Sequence, residues 1–377
     1  MSDQRREVCG VKVTAAVAPA GGGPFCVCEL DLESPRDDEI LVRISAAGLC
    51  HTDIVAQQGG FGFEIAAVLG HEGAGTVEAV GRLVTKVVPG DRVTLSFRSC
   101  GRCAKCESGH PAYCHQMPAL NYAGMRADGS RALSLNGRPV VSNFFGQSSF
   151  ATHALSYERN AVRLPDDIPF EIAAPLGCGV QTGAGSVLNV FRAQSGASIV
   201  VAGAGTVGLS AVMAAKIAGC STIVAIDPLQ SRRALARELG ATHVIDPKTV
   251  PDIAAALRED LPAGADFALD TTGRQPVLEA LLAALGPQGV LGCVGIPAPD
   301  APTPGNLSRI IMLGHSVMGI IEGDADPEVF LPRLMEYYRA GRLPLDKLIA
   351  CYPLSRIGEA VADQHAGRCT KIILTMN

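Results

Sequence analysis

The chain has no block of lysine and arginine. Its 32 basic residues are set against 37 acidic ones, for a net charge of −5. That balance argues against nucleic acid or an anionic membrane as partner. No stretch approaches the roughly 20 consecutive apolar residues that a membrane helix needs. No apolar run follows the opening Met1-Ser-Asp-Gln-Arg-Arg-Glu7, so a signal-peptide pattern is missing. Internal repeats and low-complexity tracts are missing too. Two things are plentiful instead: 47% of residues are hydrophobic, and 13 are cysteine. The first can build large cores and argues against disorder. At 377 residues the chain exceeds one ordinary core and points to two domains. The cysteines, with no export signal, point to a cytoplasmic, reducing compartment where clustered thiols act as metal ligands.

The most telling stretch is Gly48-Leu-Cys-His-Thr-Asp53. Glu39–Ser45 alternates apolar and polar residues, reads as a strand, and delivers the chain to a thiol, an imidazole, a hydroxyl and a carboxylate in succession. Gly70-His-Glu-Gly73 then offers His71 beside Glu72, and Leu176-Gly-Cys-Gly179 offers Cys178. Cys50, His71 and Cys178 make a Cys₂His set, which leaves a zinc ion's fourth position open to water or substrate. Around them, short strands at Val11–Val17, Gly75–Val80 and Asp91–Leu95 with Gly/Pro turns predict a β-barrel-like domain.

Cys100-Gly-Arg-Cys103-Ala-Lys-Cys106, with Cys114 following, matches a closed four-thiolate structural zinc site. Residues 116–150 are turn-rich and long enough to serve as a lid or pocket wall. Phe144, Phe145 and Phe150 at the end of this stretch read equally as core or pocket lining.

From about residue 196 the pattern changes. Ala197–Ala202 is an apolar strand, and Gly203-Ala-Gly-Thr206-Val207-Gly208 opens an alanine-rich helix. A second strand, Thr222–Ile226, ends in Asp227, 24 residues after Gly203. A glycine loop between strand and helix, followed by an acid at this distance, is the dinucleotide fingerprint. Gly203, Gly205 and Gly208 let the backbone approach a pyrophosphate, and the helix N-terminus favours its charge. Asp227 would accept ribose hydroxyls and repel a 2′-phosphate, which predicts NAD over NADP. Further βα alternation through Ala265–Asp270 and Gly289–Gly295 fits a doubly wound parallel sheet.

Barrel, thiol cluster, Cys/His/Cys trio and dinucleotide unit, in this order, resemble the zinc-dependent medium-chain alcohol dehydrogenases. The segment Pro175-Leu-Gly-Cys-Gly-Val-Gln-Thr-Gly-Ala-Gly-Ser-Val-Leu-Asn189 resembles the aryl-alcohol (benzyl-alcohol) branch. The resemblance implies an α/β fold with a GroES-like catalytic domain at residues 1–180 and 325–377. A Rossmann domain at 181–324 would lie between those segments, and the cleft would hold the reaction. It makes Cys50, His71 and Cys178 the catalytic zinc ligands and Cys100, Cys103, Cys106 and Cys114 the structural ones. Glu72 would assist ligand exchange, Asp53 would support the ligand histidine, Thr52 would take the substrate's proton, and His51 would face the pyrophosphate. Gly203, Gly205, Thr206, Val207 and Gly208 form the phosphate loop, with Asp227 and Arg232 on the adenosine side. Lys371 stands where many relatives have a pyrophosphate-binding arginine. Phe150, Val294 and Ile296 fall at pocket and nicotinamide positions. A relay histidine found in many members, five residues after the first ligand, is replaced by Val55. Arg98 has two readings: it serves an acidic or phenolic substituent, or it is a surface base.

The implied reaction is reversible oxidation of a bulky apolar primary alcohol, benzylic or allylic, by NAD in a homodimer or homotetramer. Zinc would act as the Lewis acid. A glutathione-dependent formaldehyde dehydrogenase shares all these motifs and is the alternative enzyme. A zinc-stabilised NAD-binding sensor or structural protein is the non-enzymatic alternative.

Overall fold

The computed structural model describes residues 10–298 and 300–376. They form two compact units, one running to Cys178 and resuming at Asp346, the other spanning Gly179–Leu345. The helix Pro327–Arg339 thus falls in the second unit, whereas the sequence reading put everything after residue 325 in the first. Its buried face, Phe330, Leu331, Leu334 and Met335, belongs to a helix that packs on Gly179–Gly185 of the same unit.

Among the described residues, the first unit holds a five-stranded and a seven-stranded sheet. Strand Glu39–Leu49 is the spine of the larger one and pairs with Gly73–Val80, His153–Tyr157 and Lys371–Thr375. The alternation predicted only Glu39–Ser45. The strand continues because Ala46, Ala47 and Gly48 are small enough to stay paired with Gly73–Ala74 on one side and Ile373–Thr375 on the other. Gly48 is required there, since a Cβ would strike the Glu72 carboxylate. The strand brings Cys50 to the start of helix His51–Gln57. Leu49, Ile54, Phe144 and Phe150 are fully buried around this point. Each such side chain contributes about 1.5–3 kcal/mol by leaving water.

The turn-rich stretch 116–150 folds into a short helix, Met117–Asn121, and a hairpin of Leu133–Leu135 with Arg138–Val140. It is fastened down rather than loose. Arg126 is buried and donates to both oxygens of buried Glu39, at 2.6 and 2.8 Å.

The second unit carries six parallel strands: His243–Ile245, Thr222–Ile226, Ser198–Ala202, Ala265–Asp270, Leu285–Cys293 and Ser316–Gly319, in that spatial order. The first in sequence, Ser198-Ile-Val-Val-Ala202, is buried along its whole length, as a central parallel strand must be. Strand order reverses between it and Ala265–Asp270. Open α/β sheets bind their ligands at that reversal.

Candidate active site

The three motif segments of the first unit converge. One ligand atom each from Cys50, His71, Glu72 and Cys178 lies within 4.8 Å of the others. Asp53 organises two of these groups. It is fully buried. Its Oδ2 accepts from the Cys50 backbone N–H at 3.0 Å, and its Oδ1 accepts from Gly70 N–H at 3.0 Å. The same Oδ1 is 2.9 Å from His71 Nδ1. That contact keeps the ring proton on Nδ1 and presents Nε2 as the bare donor.

His71 Nε2 is buried without a hydrogen-bond partner and lies beside the Cys50 sulfur. A buried imidazole nitrogen left in this way costs free energy unless a ligand completes it. The Cys178 thiol chiefly, with His71 and Lys371, holds the Cys50 thiol well below its ordinary range in spite of burial. Two sulfurs and one bare imidazole nitrogen around a common point suit zinc.

The second donor set is equally compact. Cys100, Cys103, Cys106 and Cys114 lie within 4.8 Å of one another. Backbone N–H groups of His115 and Cys106 draw the Cys103 thiol down to about 6, while burial pushes Cys114 up to about 12. All four can be thiolates together only around a cation, which fits a closed metal site. Every described cysteine is free of disulfides.

Other residues fall as follows. Thr52 Oγ1 is 3.8 Å from the Cys50 sulfur. His51 is exposed on the first turn of its helix, and Val55 is 36% exposed. Lys371 is buried, pairs with Glu72 and donates to the Leu49 carbonyl. Burial opposes its charge, but Glu72 and Cys50 keep the ammonium protonated. Phe150 is 0% exposed, as is Phe144, and packs edge-on to Phe25 beneath Gly70. The Arg98 guanidinium lies 3.3 Å over the Tyr157 ring.

Two other rings of the same stretch lie against His71. The Phe145 ring stacks on His71 at 4.4 Å, and Phe144 meets the same imidazole edge-on at 5.8 Å. Half-buried Phe61, Phe63 and Tyr122 pack against those two rings. In a chain that is only 5% aromatic this is a concentration of rings, and the sequence reading did not single out Phe61, Phe63 or Tyr122.

Comparison with known proteins agrees with this architecture. The family described as alcohol dehydrogenase GroES-like domain matches residues 36–166, and the zinc-binding dehydrogenase family matches residues 206–336. A geraniol dehydrogenase from Castellaniella defragrans is 47% identical over 365 residues, covering 97% of this chain and 98% of that protein. The chain belongs to the zinc-binding alcohol dehydrogenases. The crystal structure of benzyl alcohol dehydrogenase from Acinetobacter calcoaceticus superposes with a TM-score of 0.94 at 40% identity, covering 97% of this chain and 100% of that one. An alcohol dehydrogenase zinc-binding domain protein from Burkholderia ambifaria gives 0.95 at 47% identity, covering 98% and 100%. The enzyme is accordingly an NAD-dependent zinc alcohol dehydrogenase with a GroES-like and a Rossmann unit.

In the dehydrogenase's second unit the glycine loop Gly203–Gly208 leads into helix Thr206–Ala218. Gly203 is left-handed (φ 90), a Cβ on Gly208 would strike the Gly203 carbonyl, and Gly205 faces open space at the N-cap of helix Thr206–Ala218. Asp227 closes the next strand, with Oδ2 accepting from Ala204 N–H and Oδ1 from Leu229 N–H, both at 2.8 Å. Arg232 stands 3.9 Å from it. Val294 is half-buried and Ile296 is 82% exposed just beyond strand Leu285–Cys293.

Proposed function

We propose that this dehydrogenase reversibly oxidises a bulky apolar primary alcohol, of the benzylic or allylic terpene type, to its aldehyde. The observation that carries the reading is the aromatic wall of Phe61, Phe63, Tyr122, Phe144 and Phe145 built onto the His71 imidazole. The activities named for the geraniol and benzyl alcohol dehydrogenases support it. An apolar slot gains about 0.8 kcal/mol for each methylene it buries. A seven- to ten-carbon alcohol should therefore exceed ethanol by orders of magnitude in kcat/KM.

The residues divide the work. Cys50, His71 and Cys178 hold the catalytic metal, and Asp53 fixes the tautomer of His71. When bound, zinc supplies a Lewis acid at the alcohol oxygen and NAD supplies the hydride acceptor. Thr52 Oγ1 takes the hydroxyl proton. With Val55 at the usual relay position, the chain's own route for that proton would be His51, and the ribose of a bound cofactor with water would supply the other. Glu72, held by Lys371, stands ready to assist exchange at the metal. The four-cysteine set holds a structural zinc. Gly203, Gly205, Thr206, Val207 and Gly208 cradle pyrophosphate, Asp227 and Arg232 bind the adenosine ribose, and Val294 and Ile296 bind the nicotinamide.

A homodimer or homotetramer is part of the reading. Strand Ser316–Gly319 is the last in the order of the parallel sheet and so lies at its edge. Leu307, Ile311 and Met312 on the preceding helix are more than 70% exposed, and Met318 and Ile321 are partly so. Such an edge invites strand pairing with a second copy. A cytoplasmic location fits the free thiols.

The test is turnover of benzyl alcohol, geraniol, hexanol and ethanol with NAD⁺, followed at 340 nm. Ethanol matching the aromatic alcohol would end the substrate reading. Strict dependence on glutathione would transfer the enzyme to formaldehyde oxidation.

A further inference from the structure

Gln147 is 1% exposed and has no part in the mechanism above. Its side-chain oxygen accepts from Gly73 N–H at 3.0 Å, while its nitrogen donates to the His71 carbonyl at 2.9 Å and the Ser96 carbonyl at 3.3 Å. The amide thus clasps the His71–Gly73 segment on both sides of Glu72. Ser96 extends the link, because its Oγ donates to the Gly177 carbonyl at 2.7 Å, one residue before Cys178. Gly177 lies tight against the neighbouring strand, where an added Cβ would strike the Leu95 carbonyl. One chain of hydrogen bonds, His71–Gln147–Ser96–Gly177, therefore runs between two of the three ligand segments, which are more than a hundred residues apart in sequence.

The backbone around Gln147 is held at a cost. Asn143 (φ 76), Phe145 (φ 52) and Ser148 (φ 54) are left-handed without being glycine. That conformation is unfavourable for a phenylalanine and persists only where the surroundings over-determine it. Here the Ser148 hydroxyl donates to the Val68 carbonyl at 2.7 Å and accepts from Phe144 N–H at 2.9 Å, and the loop's reward is the Phe145 ring on His71.

We propose that Gln147 is a positioning residue that sets the spacing of His71 and Cys178 for the catalytic metal, acting through Ser96. The proposal rests on reading Cys50, His71 and Cys178 as that metal's ligands. Partners behind the ligands of a metal typically change its affinity by about 10–100-fold when removed.

The experiment follows metal release to a chromogenic chelator from the zinc-loaded enzyme and from Gln147→Met, Ser96→Ala and the double variant. Methionine keeps the volume of glutamine and removes all three hydrogen bonds. Serine to alanine deletes a single hydroxyl, so at least that variant folds. One of the two metals should leave about 10–100-fold faster from each single variant, with the other leaving at the wild-type rate. The double variant should be no worse than the worse single one, because both cut the same chain. The cobalt-substituted enzyme should show an altered visible spectrum in the same variants. Equal acceleration of both metals, strictly additive effects, or unchanged release from Ser96→Ala would overturn the proposal. A wild-type enzyme holding metal only in the four-cysteine set would instead remove the reading beneath it.

Discussion

Asp53→Asn is the sharpest probe of the site, because the structure dictates how the substitution must fail. The carboxylate accepts from three N–H groups, Gly70 and His71 at Oδ1 and Cys50 at Oδ2. An asparagine has one oxygen and one NH₂, so a donor must face a donor whichever way it turns. With NH₂ toward His71, the imidazole must accept at Nδ1 and carry its proton on Nε2, which removes it as a ligand. With NH₂ toward Cys50, one buried N–H loses its partner, at about 1–3 kcal/mol. The second orientation is the cheaper. It still replaces a charged acceptor on His71 by a neutral one, and charged hydrogen bonds contribute about 1.5–3 kcal/mol against about 0.5–1.5 for neutral ones. A loss of about 1.4–2.7 kcal/mol in metal binding corresponds to about 10–100-fold. Isothermal competition with a chelator, read beside total zinc, measures it. Asp53→Asn with wild-type metal affinity and turnover would refute the claim that the carboxylate orients His71.

Three further outcomes follow from the same structure. Arg126→Met should lower stability by about 3–5 kcal/mol, because buried Glu39 loses its partner; a change under about 1 kcal/mol in denaturant unfolding would show that the pair is dispensable. Asp227→Ser should narrow the preference for NAD over NADP by removing repulsion of the 2′-phosphate, and steady-state kinetics with both cofactors would show no change if Asp227 has no such role. Phe61→Ala should cost geraniol at least about tenfold in kcat/KM and leave ethanol near its starting value. An equal loss for both alcohols would mean that Phe61 supports the fold rather than the substrate.

Ligand residues were legible in the sequence because each sits in a short segment whose glycines and strand pattern are local. Cys50 follows an alternating strand, His71 follows a left-handed glycine, and the four-cysteine set lies within fifteen positions. The dinucleotide loop could be read for the same reason: strand, glycines, helix and acid occur in order along the chain. What escaped depends on long-range contact. Lys371 meets Leu49 across 322 positions, and Gln147 meets His71 across 76. No local pattern marks either. Spacing alone does not separate three phenylalanines in seven residues, because left-handed backbone at Asn143, Phe145 and Ser148 decides where each ring is aimed. Phe144 and Phe145 are turned to His71, while Phe150 is turned to Phe25. The domain boundary near residue 325 was set by analogy, whereas the buried face of Pro327–Arg339 assigns that helix to the second unit.

The most direct test of the central claim compares zinc content with turnover in Cys178→Ser and Cys103→Ser. Wild-type enzyme should hold two zinc ions per chain, one for each donor set. Cys178→Ser should stay folded, keep the structural zinc and produce no NADH from geraniol. Cys103→Ser should mainly lose stability, because closed sites contribute to folding directly. Wild-type turnover by Cys178→Ser would contradict the account.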